Sequence, residues 1–358
     1  MHLVLVISSM RAGGAEKVMA DLACHWVQQG HKVTLVTFTP MEEKPFQPLD
    51  ARIHHVGLGC YHQSSWGIPW AFLSAIFRLR KILRQSQPDR VLSFLEAVNF
   101  VTLLATRGLS VPVIVSERSH PAFHRSGFIF NKLRNILYPF STRLIVLNQS
   151  IKDFFPKSFR GFTRVIPNPI KMPEHKKQSQ AEIIKHIVTV GRLSDVKDQA
   201  TLIKAFKLYV MSNPHSHLTI YGEGPLRPNL EALIHQEGLE SHVTLFGKTD
   251  QIHQELLKAD LFIFPSLYEG FPNALLEAMA VGIPVIASKV AGNQDIIQDS
   301  HDGLLFTAGE VNDLYQKMLM INDQCLREKL SVHGQEKAAT FAANKVYPLW
   351  DAVCLDLK

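Results

Sequence analysis

Short apolar runs alternate with longer segments of helical period through the first half of the chain. The runs that predict strands cover residues 2–8, 32–39, 52–56, 90–94, 111–116 and 142–147, and the helical segments cover residues 15–29, 70–85, 97–107 and 130–138. Continuously apolar strands separated by helices are typical of a parallel sheet that is covered on both faces. The pattern therefore predicts an α/β domain.

The same alternation restarts after a proline- and lysine-containing interruption. Strands are predicted at residues 185–191, 218–221, 242–246, 261–264, 284–287 and 303–306, and helices at residues 198–211, 227–236, 251–259, 273–281 and 312–321. We predict two Rossmann-like domains, at residues 1–168 and 185–338, joined by a linker at residues 169–184. A helix within residues 339–358 is predicted to pack back on the N-terminal domain.

Composition narrows the class of protein. The 358 residues suffice for two hydrophobic cores, and the hydrophobic and charged fractions are those of an ordinary folded protein. The four cysteines are scattered, which favours a reducing cytosol, and residues 1–7 are too short for a signal sequence. No apolar run reaches the roughly 20 residues that a membrane-spanning helix needs. The net charge of +6 favours anionic partners, among them nucleic acid, phosphorylated small molecules and anionic membranes.

The most informative segment runs from Glu269 to Glu277. A predicted strand ends just before it, and a turn with Gly270 and Phe271 follows. A helix is predicted to start around Pro272 or Asn273, because proline in the first helical position and asparagine as a cap are both usual at helix starts. Two isolated acids at this spacing are more often a surface turn residue and a solvated helical residue. The strand, the Gly-Phe-Pro-Asn turn and the helix together favour a ligand site instead.

The first turn of this helix is predicted to bind an anion. The free backbone N–H groups of Asn273, Ala274 and Leu275 are expected to point outward, where they suit a diphosphate. Glu277 lies one turn further and is placed to accept hydrogen bonds from vicinal hydroxyls such as those of ribose. Glu269 is expected near a sugar that is attached to the phosphates.

Two further groups follow strands. Arg192 and Lys197 lie in a turn ahead of a helix, where both could neutralise a diphosphate as it leaves, and such charge stabilisation is the largest catalytic effect expected here. Gly13 and Gly14 follow the first strand and allow the backbone to approach a ligand closely. Neither this pair nor the Gly-Glu-Gly-Pro segment at residues 222–225 matches G-x-G-x-x-G, so a dinucleotide site is weakly supported.

Taken in order, these segments resemble the retaining glycosyltransferases of family 4. The matching motifs are Gly-Gly-Ala-Glu at residues 13–16, Ile-Pro-Asn-Pro at 166–169, Gly-Arg-Leu at 191–193, Gly-Glu-Gly-Pro at 222–225, Phe-Gly at 246–247 and the run at 269–277. The resemblance covers essentially the whole chain. It implies the GT-B fold, in which two Rossmann-like domains with parallel sheets face a deep interdomain cleft.

The resemblance also implies roles for the donor-binding residues. Arg192 and Lys197 would hold the diphosphate of the donor, and Glu277 would hold its ribose. Glu269 and the backbone amides after it would contact the transferred sugar. Gly14 would approach the diphosphate from the other domain.

The base of the donor is implied to lie against Phe246, Gly247 and Lys248. The family usually works without a metal or another cofactor, and the absence of any D-x-D triplet in this sequence agrees with that implication.

Glu117 and Arg118 are further catalytic candidates. The family often has a histidine after the fifth strand of its first domain, and Arg118 stands at that position here, which leaves the role of His120 open. Glu117 and Arg118 are expected to line the reaction centre. Retention implies that the acceptor hydroxyl attacks from the face that the nucleotide leaves, with the departing diphosphate taking the proton.

We therefore predict a hexosyltransferase that moves an N-acetylhexosamine or hexose from a UDP-sugar to a lipid-linked or lipopolysaccharide glycan, as in bacterial O-antigen assembly. A GDP-mannose-dependent mannosyltransferase is the alternative, and a sugar-nucleotide epimerase, a glycan phosphorylase and a nonenzymatic nucleotide-binding protein are weaker ones. The paired acids argue against a nucleic-acid partner, because they repel a phosphate backbone. A monomer in the cytoplasm, associated with the inner face of the cytoplasmic membrane, is expected.

Two segments are candidates for that membrane contact. Residues 66–84 place Arg78, Lys81 and Arg84 on one helical face, with Phe77 among them. Residues 124–134 also combine aromatic and basic side chains. Such surfaces bind anionic lipid, although the first helix could equally serve only to cover the sheet.

Overall fold

The computed structural model describes residues 1–11, 13–60, 69–119, 121, 128–177 and 182–356. His120 and residues 66–68 and 124–127, on which predictions above fall, lie outside these residues. The chain divides into two compact units. The N-terminal unit is Met1–Pro169 with Asn344–Lys358, and the C-terminal unit is Ile170–Ala343.

The N-terminal unit is built on one parallel sheet. Its strands are β1 (His2–Ile7), β2 (Lys32–Thr37), β3 (His54–Gly57), β4 (Arg90–Phe94), β5 (Val113–Ser116), β6 (Arg143–Val146) and β7 (Thr163–Val165). Its helices before the C-terminal segment are α1 (Gly14–Gln28), α2 (Pro69–Ser86), α3 (Glu96–Ala105), α4 (Phe128–Leu137) and α5 (Gln149–Phe154). The strands pair in the order β3-β2-β1-β4-β5-β6-β7. The short elements β7 and α5 were not predicted, because three to six residues carry too little periodicity.

The C-terminal unit repeats this architecture. Its strands are β8 (His186–Val190), β9 (His217–Tyr221), β10 (Val243–Gly247), β11 (Leu261–Phe264), β12 (Val285–Ser288) and β13 (Leu304–Phe306). Its helices are α6 (Gln199–Val210), α7 (Arg227–Gln236), α8 (Ile252–Lys258), α9 (Asn273–Val281), α10 (Ala291–Gln294), α11 (Val311–Met320) and α12 (Gln324–Ala339). The strands pair in parallel in the order β10-β9-β8-β11-β12-β13. Two parallel α/β units confirm the predicted fold class.

The last helix, α13 (Ala343–Cys354), belongs almost entirely to the N-terminal unit. Trp350 and Val346 are buried in the same cluster as Trp26. The indole N–H of Trp26 donates to Asp351 Oδ1 at 2.8 Å. The chain thus returns to complete the core of its first unit.

Residues 170–177 lie in the C-terminal unit, ahead of its first strand. Ile170 is buried and forms a bridge with Ala342, while the Lys177 ammonium donates to Asp260 at 2.9 Å. The division between the units therefore falls between Pro169 and Ile170.

In both sheets the strand order reverses beside the first strand of the unit, between β1 and β4 and between β8 and β11. Connections on the two sides of such a switch point diverge, which leaves room for a ligand at the carboxyl ends of the strands. No helix within the described residues is long and apolar enough to span a membrane.

Candidate active site

Glu269 lies in the turn between β11 and α9. The backbone N–H of Leu267 donates to the carbonyl of Val196 at 2.8 Å, which ties this turn to the segment that follows β8. The helix begins at Asn273, with Pro272 as the N-cap residue at φ −86° and ψ 82°. The helix thus starts at one of the two predicted residues, Pro272 or Asn273, but its cap is Pro272 rather than Asn273.

The tip of α9 offers two backbone donors rather than the three predicted. The N–H of Asn273 donates to the carbonyl of Phe271 at 3.1 Å and is therefore not free. The N–H groups of Ala274 and Leu275 have no acceptor within the described residues, as is usual for the first turn of a helix. These two groups, with the positive end of the helix dipole, suit an anion.

Lys197 and Glu269 form an ion pair across the switch point. The ammonium of Lys197 donates to Glu269 Oε1, and the two side chains are 23% and 12% exposed. Lys197 Nζ also lies 4.7 Å from the ring centroid of Phe264, a favourable cation–π position. The aliphatic stem of Lys197 passes Gly191, where an added Cβ would lie 3.4 Å from the lysine Cδ.

The turn that carries Lys197 is anchored on both sides. Lys197 ends a short 3-10 turn, and Asp198 follows with φ 44° and ψ 44° in the left-handed region. The Asp198 carboxylate accepts from Thr201 N–H at 3.3 Å and so caps α6. Gln199 Nε2 donates to the carbonyl of Arg192 at 3.0 Å, while the Arg192 side chain is exposed.

The residues predicted to hold the base lie at the end of β10. Gly247 has φ +93°, which favours glycine, and its carbonyl accepts from Gly222 N–H at 2.7 Å. Phe246 is 55% exposed and its ring centroid lies 5.0 Å from that of Tyr221. Lys248 is exposed. An aromatic face and a cation are thus presented beside a turn that only glycine forms easily.

The other glycines of this edge have a packing role. An added Cβ at Gly222 would lie 1.9 Å from the carbonyl oxygen of Gly191, and one at Gly224 would lie 2.2 Å from that of Leu193. The Gly-Glu-Gly-Pro segment therefore lets the turns after β8 and β9 approach each other. This contact helps to fix the position of the turn that carries Arg192.

Glu277, Gly270 and Phe271 are all half-buried. Glu277 lies two residues beyond Leu275 on α9, and the ring centroid of Phe271 lies 5.7 Å from that of Phe341. The structure thus gathers those predicted donor residues that belong to the C-terminal unit at the carboxyl ends of β8, β10 and β11, with Lys197 and Glu269 at the switch point.

Gly13 and Gly14 lie at the corresponding switch point of the N-terminal unit. Gly13 precedes α1 with an extended backbone, φ −175° and ψ 159°, and both glycines are exposed. An added Cβ at Gly13 would lie 2.2 Å from the Glu16 carboxylate, the movable end of a side chain. The turn presents exposed backbone, and its close approach to a ligand stays a prediction.

Glu117 follows β5 but is enclosed within the N-terminal unit. It is 2% exposed, accepts a hydrogen bond from the Tyr138 hydroxyl, and has Arg134 Nε 3.5 Å from its Oε1. Arg134 is shared with a second carboxylate, that of Glu96. Burial raises the pKa of Glu117 to about 7 even though Arg134 favours the charged form.

Arg118 is buried beside this group. One of its guanidinium nitrogens donates to Asn168, and its Cζ lies 4.4 Å from the ring centroid of Phe94. Burial lowers the pKa of Arg118 to about 9. Glu117 and Arg118 therefore contact protein groups rather than presenting their charges at the surface of the unit.

Several of these partners were not predicted. Glu96, Arg134 and Tyr138 lie on three different segments, and Phe264 lies inside a strand. Buried hydrogen-bonding residues of this kind leave no spacing signal in a sequence, because the tertiary fold alone brings them together.

A cavity of about 480 Å³ lies in the N-terminal unit, where Arg143 and Arg164 face Leu349 and Val353. It contains none of the predicted site residues. Within the described residues, no group of three histidine, cysteine or acidic side chains is arranged to hold a metal ion.

Comparison with known families identifies the class of protein. Residues 12–172 match the family described as Glycosyltransferase Family 4, and residues 171–337 match Glycosyl transferases group 1. The two matches together span nearly the whole chain. The chain belongs to glycosyltransferase family 4 and is an enzyme of the hexosyltransferase class, as predicted.

Characterised relatives carry names from lipid-linked glycan assembly. The chain is 27% identical to GalNAc-α-(1→4)-GalNAc-α-(1→3)-diNAcBac-PP-undecaprenol α-1,4-N-acetyl-D-galactosaminyltransferase of Campylobacter jejuni, over 100% of this chain and 99% of the relative. It is 25% identical to UDP-Gal:α-D-GlcNAc-diphosphoundecaprenol α-1,3-galactosyltransferase of Escherichia coli, over 74% of each chain.

Solved structures share the fold at low identity. Sucrose-phosphate synthase of Thermosynechococcus elongatus superposes with a TM-score of 0.86 at 18% identity, over 99% of this chain and 98% of that one. HepE of Anabaena in complex with UDP-glucose gives 0.82 at 20% identity over the whole of both chains. The GT-B fold class is thereby confirmed.

Proposed function

We propose that this enzyme is a retaining transferase that moves an N-acetylhexosamine or hexose from a UDP-sugar to a lipid-linked glycan. The observation that carries this proposal is the ion pair of Lys197 with Glu269 beside the two free amides of α9. A cation, an acid and an anion-binding helix tip meet at one switch point. A donor that consists of a diphosphate and a sugar matches each of these groups.

In this proposal the Lys197–Glu269 ion pair breaks when the donor binds, and both side chains contact the donor instead. The ammonium of Lys197 turns to the diphosphate, together with Arg192 and the amides of Ala274 and Leu275. Glu269 accepts hydrogen bonds from hydroxyls of the sugar. The acceptor hydroxyl attacks the anomeric carbon on the face that the diphosphate leaves, the bond to the diphosphate breaks, and a diphosphate oxygen takes the proton.

The cations stabilise the negative charge that develops on the leaving diphosphate. Contacts that act on charge developing in the transition state accelerate a reaction most. We therefore expect turnover without an added metal or another cofactor. Turnover that disappears in EDTA and returns with Mg²⁺ would contradict this part of the proposal.

The nucleotide is proposed to be UDP, because a relative is named for UDP-Gal and HepE was solved with UDP-glucose. GDP-mannose remains the alternative. A thermal-shift panel of UDP, GDP and ADP tests the choice, and we expect the largest rise of the melting temperature with UDP. No shift with any of the three would contradict the donor site itself.

Glu277 gives this panel an internal control. The loss of hydrogen bonds to the ribose in Glu277→Ala is expected to weaken UDP binding about tenfold, which corresponds to about 1.4 kcal/mol. Wild-type protein should lose similar affinity for a UDP analogue that lacks both ribose hydroxyls, whereas Glu277→Ala should not discriminate between the two ligands.

The acceptor is proposed to be a lipid-linked glycan at the cytoplasmic face of the membrane, because both named relatives act on undecaprenol-linked glycans. Incorporation of a radiolabelled sugar into a butanol-extractable product tests this assignment. Labelling of free oligosaccharides alone would contradict it.

A surface on α2 supports membrane contact. Trp70, Leu73 and Phe77 are 78%, 42% and 68% exposed and lie on one helical stripe. The same face continues with exposed Arg78, Lys81 and Arg84. We call these six residues the α2 face. Exposed aromatic side chains followed by cations fit an anionic bilayer, in which the rings enter the interface and the cations meet the headgroups.

Residues 128–134 of the second candidate segment lie on α4, which like α2 packs against α3. Within the segment Phe130 is 39% exposed. Beyond its end, Ile136 is 52% exposed and Phe140 is 49% exposed, with the guanidinium of Arg107 3.8 Å from the Phe140 ring centroid. Lys132 is exposed beside them. The aromatic and basic character of the α2 face is thus repeated here.

Cosedimentation with phosphatidylglycerol vesicles tests the α2 face. Each cation near an anionic surface contributes about 1 kcal/mol, so replacing Lys81 and Arg84 by serine should weaken binding about thirtyfold. Trp70→Ser with Phe77→Ser should also release the protein, whereas Met211→Ser, which removes an equally exposed side chain from the other unit, should not. Binding that is unchanged by either pair or by raised salt would contradict the proposal.

A further inference from the structure

A buried polar cluster lies behind the Glu269 turn, in the C-terminal unit. Its members, Ser266, Ser288 and Asn293, are each 0% exposed. Ser266 is three residues before Glu269, Ser288 ends the neighbouring strand β12, and Asn293 lies in α10. None of the three was predicted from sequence, and none has a role in the donor contacts proposed above.

Hydrogen bonds connect the three segments in series. The Ser288 hydroxyl donates to the carbonyl of Ser266. Asn293 Nδ2 donates to the carbonyl of Ser288 at 2.8 Å and to its hydroxyl oxygen at 3.2 Å. The turn that carries Glu269 is therefore fixed to β12 and α10 by side-chain bonds that solvent cannot replace.

A close backbone contact lies beside this chain of bonds. An added Cβ at Gly292 would lie 2.5 Å from the carbonyl oxygen of Glu269 and 3.0 Å from its Cβ. The backbone at Gly292 has no positive φ, so the position needs glycine for space rather than for conformation. The first turn of α10 is thus pressed directly against the peptide of Glu269.

We propose that Gly292, Asn293 and Ser288 are positioning residues, which fix the Glu269 carboxylate for transfer of the sugar. The cluster keeps polar atoms buried at a cost in stability, since Asn293 Oδ1 and Ser266 Oγ have no partner within the described residues. If this cluster served only to stabilise the fold, apolar side chains at the same positions would stabilise it more. The assignment rests on the proposed role of Glu269 in sugar transfer.

Gly292→Ala is the sharpest test. The methyl group must displace the backbone of Glu269, and a displacement of about 1 Å at a reacting group costs about 10²-fold in rate. We expect kcat for the UDP-sugar to fall about 10²-fold while the affinity for UDP, which does not contact Glu269, stays at the wild-type value.

Ser288→Ala tests the hydrogen bonds without adding bulk, and Ser216→Ala is its matched control. Ser216 is 1% exposed in the same unit and donates to the carbonyl of Ile184 at 2.7 Å. This bond lies at the amino-terminal ends of β8 and β9, away from the Glu269 turn. Both variants should lose similar stability. Only Ser288→Ala should lower kcat, by about tenfold, at a temperature well below either unfolding transition.

A measurement that needs no activity separates the two proposals. In a double-mutant cycle on unfolding, Lys197→Met and Glu269→Gln should show a coupling that is lost when Gly292→Ala is added. Wild-type protein that neither binds UDP nor transfers a sugar would refute the proposed function. The Lys197–Glu269 coupling would still show whether Gly292 fixes the position of Glu269. Wild-type kcat and unchanged coupling in Gly292→Ala would overturn the positioning role.

Discussion

The two units hold acid–cation pairs at related places in related folds, yet the pairs differ in their surroundings. Glu269 pairs with Lys197 after the strands at the C-terminal switch point, and their side chains are 12% and 23% exposed. Glu117 lies by Arg134 after a strand of the N-terminal sheet, and both side chains are 3% exposed. Burial therefore distinguishes the two pairs, since the side chains of the first are partly exposed and those of the second are almost fully enclosed.

The partners explain what each pair does. The buried carboxylate of Glu117 also accepts from Tyr138, and Arg134 also serves Glu96, so protein groups occupy the contacts of the pair. Lys197 has the face of Phe264 beside it and two free amides nearby on α9. We infer that the N-terminal pair stabilises its unit, whereas the C-terminal pair is available for chemistry.

Removal of Arg134 should have the largest effect on stability. Arg134→Met removes the cation from the carboxylate of Glu96 and, above pH 7, from that of Glu117, and breaking a buried pair costs about 3–5 kcal/mol. Lys132→Met, at an exposed position of the same helix, should change the free energy of unfolding by no more than about 0.5 kcal/mol. Denaturant unfolding measures the free energy of unfolding of both variants. Equal losses in Arg134→Met and Lys132→Met would contradict a stabilising role of the buried pair.

Removal of Lys197 should act on rate rather than on stability. Lys197→Ala is expected to lower kcat by about 10²–10³-fold, the usual effect of deleting one group that stabilises developing charge. Lys204→Ala, an exposed position on the following helix, serves as the matched control and should keep wild-type kcat. Wild-type turnover in Lys197→Ala would show that the Lys197–Glu269 pair has no role in the mechanism.

The last prediction is a pH dependence of stability that the buried carboxyl of Glu117 produces. The folded carboxyl of Glu117 keeps its proton until about pH 7, whereas the unfolded one releases it near 4.5. Between these values the folded state binds more protons, so stability falls as the pH rises, by on the order of 3 kcal/mol. Glu117→Gln should lack this slope, and parallel stability curves for the two proteins would contradict the assignment.

The sequence was sufficient for most of the architecture because long apolar strands and amphipathic helices carry their own periodicity. The helix α12 was not predicted. The strands β1, β4, β8 and β11 were predicted to within two residues, and the donor residues were predicted to follow strands. The capping of α9 was wrong, since proline and asparagine both suit a helix start and only the dihedrals distinguish Pro272 from Asn273. The three-residue strand β7 gave no periodic signal.

The sequence by itself thus determined two α/β units, the run from Glu269 to Glu277 and the cations Arg192 and Lys197, because each depends on residues that are near one another along the chain. Only the tertiary structure decided which acid is open and which is enclosed. Tyr138 reaches Glu117 from 21 residues away, and Lys197 reaches Glu269 from 72 residues away. Such contacts depend on how the strands are ordered in the sheet, and that order leaves no local pattern in the sequence.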